Sequence, residues 1–149
     1  MDTRHATDDL ATLRRTLEEL LERLVVAIEA NDTGRTRAIW PEIDARLGVQ
    51  LDAEEQLLIP PLSRWSEREA RTILAEHQHI RSRMKELRTQ IARSAASGET
   101  ASAFVDELSA HERHEDALMN RWADERLGET GRATLMGLVA NVVSTRLRL

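Results

Sequence analysis

The chain contains no cysteine, no tyrosine, one phenylalanine and three prolines among its 149 residues. The lack of cysteine excludes disulfides, thiolate metal sites, iron–sulfur clusters and cysteine nucleophiles. No apolar run approaches the roughly 20 residues of a bilayer span, and the polar, acidic N-terminus is unlike a signal peptide. The net charge of −5 argues against a nucleic-acid partner, because such proteins normally carry a basic face. We therefore expect a cytoplasmic protein with no membrane and no nucleic-acid partner.

The residues that are present favour helices. Hydrophobic residues make up 41% of the chain and charged residues 32%, which is a globular balance. Leucines and other apolar residues recur at three- and four-residue steps, a spacing that predicts amphipathic helices. The predicted helices run over about 8–30, from near Pro41 to Pro60, from the capping box at 66–69 to 91, from about 104 to Gly128, and over 130–149, with a loop at 94–100.

Four such helices joined by short turns predict an all-α fold, an up-down-up-down antiparallel four-helix bundle with a short C-terminal fifth helix. We expect one domain over 1–149, with a core at about 8–127 and the C-terminal helix at about 130–147. Pro41 either bends the second helix or marks its first turn, and Pro60 and Pro61 end or kink it. The C-terminal helix either caps its own bundle, which we favour, or pairs two bundles as a homodimer.

Polar residues interrupt three of the predicted apolar seams. Gln50 and Glu54 lie on the second seam and His77 on the third. His111 and Glu115 share one face of the fourth helix because they are four residues apart. A lone buried carboxylate is very costly, so these side chains need partners.

Two hypotheses satisfy that need. Two neutral histidines and two carboxylates can share a divalent cation, and this donor set suits iron, manganese or zinc. The alternative is a metal-free polar layer, in which Glu54 or Glu115 pairs with a protonated histidine or with Arg81. Seam geometry alone leaves the two hypotheses evenly matched.

The other histidines carry less weight. His79 lies off the seam beside Glu76 and Arg83, and we expect it to be solvated. His114 follows His111 by three residues and is expected at the bundle edge, exposed or in a supporting role. His5 precedes the first apolar residue.

Three segments in order carry a resemblance to a known family. The segment 50–60 (QLDAEEQLLIP) resembles the hemerythrin-like (HHE cation-binding) signature H-x-x-x-E-E-x-x-L-F-P. The segment 76–81 (EHQHIR) is similar to the family's E-H-x-x-I-R element, and 111–118 (HERHEDAL) to its H-x-x-x-E-x-x-L element. The resemblance covers about residues 8–127.

The resemblance implies a non-haem di-iron centre inside the bundle, with histidines from four helices and bridging carboxylates from two. Carried over by position, Glu54, His77, His111 and Glu115 match. The histidine of the second helix is Gln50 here, and no histidine stands near Leu13 or Arg14, where the first helix should supply one. In the family the two missing histidines serve one metal, so the residues that match form a complete set for the other.

We therefore predict a hemerythrin-like metal-binding protein with a single non-haem iron ion at Glu54, His77, His111 and Glu115. A sensing, sequestration or redox role would follow, while reversible oxygen binding, which takes two irons, should be absent or weak. The alternative is a metal-free bundle that acts as a protein-interaction module. The sequence shows no catalytic signature and leaves open whether the protein is an enzyme.

Overall fold

Every regular element of the protein is helical in a computed structural model, which describes residues 9–148. The helices are α1 (Leu10–Glu29), α2 (Thr33–Leu57), α3 (Ile59–Trp65), α4 (Glu67–Ala92), α5 (Gly98–Trp122), a π-helical turn (Ala123–Leu127) and α6 (Gly128–Leu147). The all-α prediction is confirmed for this part of the chain. None of the helices within it is long and apolar enough to cross a membrane.

Side-chain caps decide where four helices begin. Asp9, Asp32, Ser66 and Ser97 each accept a hydrogen bond from a backbone N–H three residues further on. Such caps satisfy one of the free N–H groups of a first helical turn. The start predicted at the Ser66 capping box is confirmed. The predicted loop at 94–100 is too long, because the Ser97 cap lets α5 begin at Gly98.

The prolines act differently in the two places where they occur. Pro41 lies inside α2, which begins eight residues earlier at Thr33, so Pro41 does not mark the first turn. Pro60 and Pro61 lie in the first turn of α3, a seven-residue helix that was not predicted. Proline suits this position because the first N–H groups of a helix have no acceptor within it.

The four long helices form a ring of neighbours: α1 packs on α2, α2 on α4, α4 on α5, and α5 on α1. Gly128, with φ of +71°, redirects the chain after the π-helical turn, and α6 then folds back on α2 and α1. This helix buries Val139 and Val143 against its own chain. The structure thus contains the cap that we favoured, while pairing of two bundles through α6 stays a prediction.

The buried apolar side chains form two clusters. The Trp40 cluster comprises Leu17, Leu20, Leu21, Leu24, Ala27, Ile28, Ile39, Trp40, Ile43, Leu47, Leu51, Ile80, Met84, Leu87, Ile91, Ala101, Phe104 and Leu108. The Trp122 cluster comprises Leu13, Ala53, Leu58, Leu62, Ala70, Ile73, Leu118, Met119, Trp122, Val139, Ala140 and Val143.

A polar layer lies between the two clusters. On α5, Leu108 belongs to the Trp40 cluster and Leu118 to the Trp122 cluster. The buried polar residues His111 and Glu115 occupy the helix between them. The other three long helices also cross from one cluster to the other, so the fold brings polar side chains from several helices to one level.

Candidate metal centre

The polar layer contains all four residues predicted as metal ligands. Glu54 comes from α2, His77 from α4, and His111 and Glu115 from α5. One donor atom from each lies within 4.8 Å of the others, and all four side chains are buried. The structure therefore brings together the set that the sequence predicted, from three separate helices.

Two of the facing atoms lack any hydrogen bond. Nε2 of His111 lies 3.4 Å from Oε2 of Glu115, and both atoms are buried without a hydrogen-bond partner in the described chain. Nε2 of His77 lies 3.1 Å from Oε1 of Glu54. The two imidazole rings are edge-on, with centroids 4.9 Å apart. The ring nitrogens and carboxylate oxygens thus converge on one small region.

The outer nitrogen of each histidine is held by a carboxylate. Nδ1 of His77 lies 2.8 Å from Oε2 of Glu55, and Nδ1 of His111 lies 2.6 Å from Oε1 of Glu76. Arg81 in turn donates to Glu55. A carboxylate at Nδ1 fixes the proton there and leaves the Nε2 lone pair of the neutral ring available to a metal.

The metal-free hypothesis allowed Arg81 to pair with Glu54 or Glu115, but Arg81 pairs with neither. It contacts Glu55 and Asp52 instead, because the turn of α2 that faces α4 presents these two carboxylates to it. Of the two pairings that the metal-free hypothesis offered, the structure shows the one with the histidines, His77 beside Glu54 and His111 beside Glu115, while Arg81 supports His77 through Glu55.

The remaining histidines lie outside the cluster. Nδ1 of His114 lies 2.8 Å from Glu76, the carboxylate that also holds His111, so His114 has the supporting role. His79 is 60% exposed, as expected, and contacts Glu107 rather than its helical neighbour Glu76. His5 lies outside the described residues.

Gln50 and Arg14 occupy the free sides of the two carboxylates. The Gln50 amide donates to Oε2 of Glu54 at 3.3 Å. The Arg14 guanidinium donates to Oε1 of Glu115 at 3.1 Å and to Asp116 at 2.7 Å. Arg14 lies near the position where the first helix of the family would supply a histidine, and no role was predicted for it. Its position in the sequence between the buried Leu13 and Leu17 was the one signal that its side chain lies near the core.

Sequence reasoning also missed the supporting role of Glu55 and Glu76. Glu55 directly follows the seam residue Glu54, and Glu76 directly precedes the seam residue His77. Neighbours of seam residues are usually solvated, yet these side chains are only 29% and 31% exposed. A histidine with a carboxylate on the adjacent helix is the signal that would have found them.

The pKa values of the two buried carboxyl groups, Glu54 and Glu115, shift in opposite directions. Burial, reinforced by the negative charge of Glu115, raises the pKa of Glu54 well above its ordinary value. Burial opposes ionisation of Glu115 too, but His111, Glu54 and Arg14 together lower its pKa to about 2.

The pKa values of the two histidines also shift in opposite directions. Burial lowers the pKa of His77, with Glu55 acting against it. Burial would also lower the pKa of His111, but the adjacent Glu115 and Glu76 raise it to about 9. A cation in the cluster would take over the stabilisation of Glu115 that the His111 proton provides.

The donor set fits a metal ion. Two imidazole nitrogens and two carboxylates are typical ligands of iron, manganese and zinc. The unpartnered Nε2 of His111 and Oε2 of Glu115 are buried polar atoms that a cation would satisfy, and orphaned atoms of this kind are rare in native interiors.

The family comparison agrees with this chemistry. The model of the hemerythrin HHE cation binding domain matches residues 5–123. The chain belongs to this family. No curated protein and no solved structure matched the chain. Membership in the hemerythrin HHE family implies metal binding, and the Glu54, His77, His111 and Glu115 cluster is the candidate site for it.

Proposed function

We propose that this hemerythrin-like protein holds one non-haem iron ion in the polar layer and uses it for sensing, sequestration or redox chemistry. The ligands are Nε2 of His77, Nε2 of His111 and one carboxylate oxygen each from Glu54 and Glu115. The observation that carries the proposal is the buried pair of His111 Nε2 and Glu115 Oε2, which face each other at 3.4 Å without hydrogen bonds in the described chain.

The surrounding carboxylates support the same assignment. Glu55 and Glu76 hold the outer nitrogens of both histidines, the arrangement found around metal-bound imidazoles. Iron is favoured over calcium because two of the four donors are nitrogens.

A surface groove supports exchange between the ion and small molecules. The groove lies between α4 and α5, has a volume of about 460 Å³, and is bordered by His111, Glu76 and His79. Bound iron would supply an exchangeable electron and a coordination position for a small ligand. A change in the oxidation state or ligands of the ion would then alter the contact between His111 and Glu76 at the edge of the groove.

The up-down-up-down topology, the single domain over 1–149 and the cytoplasmic location belong to the same proposal. The ring of neighbours α1, α2, α4 and α5 supports the topology, since consecutive helices with short connections pack antiparallel. A homodimer through α6 is compatible with the 47% exposed Leu138 on that helix.

The second candidate is a metal-free interaction module. The observation that favours it is Arg14, whose guanidinium already neutralises part of the charge of Glu115. In that case the polar layer is a buried network of ion pairs, and the function lies on the surface.

Elemental analysis separates the two candidates. Purified protein loaded anaerobically with ferrous iron and then desalted should retain about one ion per chain. The double variant His77→Ala, His111→Ala should retain none while remaining helical by circular dichroism. His79→Ala is the matched control, because this exposed histidine is outside the cluster and its variant should bind iron normally.

The metal proposal is rejected if the parent protein and the double variant are both metal-free and unfold at similar temperatures. Retention of iron by the double variant would instead place the ion elsewhere in the chain.

A further inference from the structure

Arg14 is the one arginine that contacts a member of the metal-ligand cluster in the described chain. Its side chain is only 16% exposed and reaches from α1 to α5. Three carboxylates surround its guanidinium: Glu115 at 3.1 Å, Asp116 at 2.7 Å and Glu112 at 3.8 Å. Three acidic groups therefore share one fixed positive charge.

The two oxygens of Glu115 have different environments. Oε2 faces His111 and lacks a hydrogen bond, whereas Oε1 accepts one from Arg14. Glu54 repeats the division, with Oε1 near His77 and Oε2 bonded to the Gln50 amide. Each carboxylate thus offers one oxygen to the cluster and has the other closed by an N–H donor.

We infer that Arg14 is a built-in cation that takes the place of a second metal ion and limits the centre to one. The inference rests on the proposed metal site, since Arg14 acts through Glu115. A guanidinium keeps its charge at all physiological pH values and cannot dissociate from the chain. It therefore stabilises the ionised Glu115 permanently, while the opposite oxygen stays available for an exchangeable ion.

Removal of this charge should open a second cation site. In Arg14→Gln, the side chains of Glu112, Glu115 and Asp116 lose their shared positive partner, and like charges in one pocket attract a divalent cation. A hard ion such as Mn²⁺ accepts an all-carboxylate environment. Arg14→Lys keeps a positive charge in the pocket and should behave like the parent protein.

Mn²⁺ titration followed by electron paramagnetic resonance of the free ion measures the stoichiometry directly. We expect about one bound ion per chain for the parent and for Arg14→Lys, and about two for Arg14→Gln. Arg88→Gln is the matched control, because Arg88 also bridges two helices, through Asp44, and lies away from the cluster. The control should bind about one ion.

The unfolding temperature gives a second readout. Arg14→Gln should unfold at a lower temperature than the parent without Mn²⁺ and should recover more of the difference on addition of Mn²⁺ than Arg88→Gln does. If Arg14→Gln unfolds in the absence of metal, refolding with Mn²⁺ supports the inference. Failure of Mn²⁺ to restore it overturns the inference.

The outcomes separate this inference from the proposed function. One ion in both the parent and Arg14→Gln overturns the role of Arg14 and leaves the single-metal site standing. No ion in the parent overturns the proposed function and, with it, the inference that Arg14 limits the centre to one ion. Two ions in the parent or in Arg14→Lys overturn the inference.

Discussion

Nδ1 of His111 lies 2.6 Å from Oε1 of Glu76, and the other oxygen of the same carboxylate lies 2.8 Å from His114. One glutamate on α4 therefore connects a buried ring of the candidate metal cluster to a half-exposed ring on the same face of α5. The contact orients His111 and increases the electron density on its inner nitrogen.

Loss of this contact should weaken metal binding without removing a ligand. We expect Glu76→Ala to lower the affinity for iron or Mn²⁺ by about 10- to 100-fold, the usual effect of removing such a support. Competition with a chelator of known affinity measures the change. Glu86→Ala is the control, because this carboxylate also lies on α4 but pairs with Arg83 at 3.5 Å, and its loss should leave the affinity unchanged. Equal affinities in both variants would contradict the role of Glu76.

Glu107 should contribute to stability in a pH-dependent way. The Arg83 hydrogen bond lowers the pKa of Glu107 below its ordinary value of 4.5, with burial opposing and His79 assisting. The folded carboxyl thus stays ionised to a lower pH than the unfolded one. Its stabilisation is complete above about pH 4.5 and is lost as the pH falls through the lowered folded value.

Urea unfolding of Glu107→Gln tests this dependence. The variant should be less stable than the parent at pH 7 by up to about 1 kcal/mol, since the pair is partly exposed to solvent. The difference should shrink at about pH 3. In an Arg83→Gln background, Glu107→Gln should have a smaller effect at pH 7. A difference that is the same at both pH values would rule out the ion pair as its source.

Two glycines should respond to alanine in opposite directions. A Cβ at Gly48, in the middle of α2, would meet no described atom within 4 Å, so Gly48→Ala should raise the free energy of unfolding by about 0.5–1 kcal/mol. Gly128 has φ of +71°, a conformation that strains any residue with a Cβ. Gly128→Ala should lower the stability by about 1–2 kcal/mol. Thermal unfolding of both variants in one buffer gives the comparison, and a loss of stability in Gly48→Ala would contradict it.

Removal of α6 should unfold the bundle rather than separate two copies of it. Val139 and Val143 are buried in the Trp122 cluster with Leu118 and Trp122, so a chain that ends at Gly128 exposes that cluster to water. We expect a large fall in the unfolding temperature, measured by circular dichroism, and aggregation in size-exclusion chromatography. A folded truncated monomer obtained from a parent dimer would assign α6 to the interface instead.

The four long helices were predictable because their apolar residues keep a regular three- and four-residue step over many turns. Helix α3 was not, since its seven residues span only two turns and include Pro60 and Pro61. A periodicity cannot be recognised over so short a segment. The start of α5 was missed for a related reason, because Ser97 lies among small polar residues that also suit a loop.

The cluster of Glu54, His77, His111 and Glu115 was predictable because each of these residues interrupts an otherwise apolar seam. Arg14, Glu55 and Glu76 carry charges on the edges of the seams, where most such side chains are solvated. Their roles depend on which helices are neighbours and on how far each is rotated. Helix neighbours and helix rotation depend on packing between helices, so they cannot be predicted from the sequence of one helix alone.

The division of the core by the polar layer gives each half its own optical reporter. With no tyrosine in the chain, near-ultraviolet emission comes from tryptophan alone. Trp40 packs edge-on against Phe104 in one cluster, while Trp65 stacks on Trp122 at the other end, with ring centroids 5.8 Å apart. Replacement of Trp40 by phenylalanine leaves only the signal of the Trp122 half. The cooperativity between the two halves, and its dependence on an ion bound between them, is thereby open to measurement.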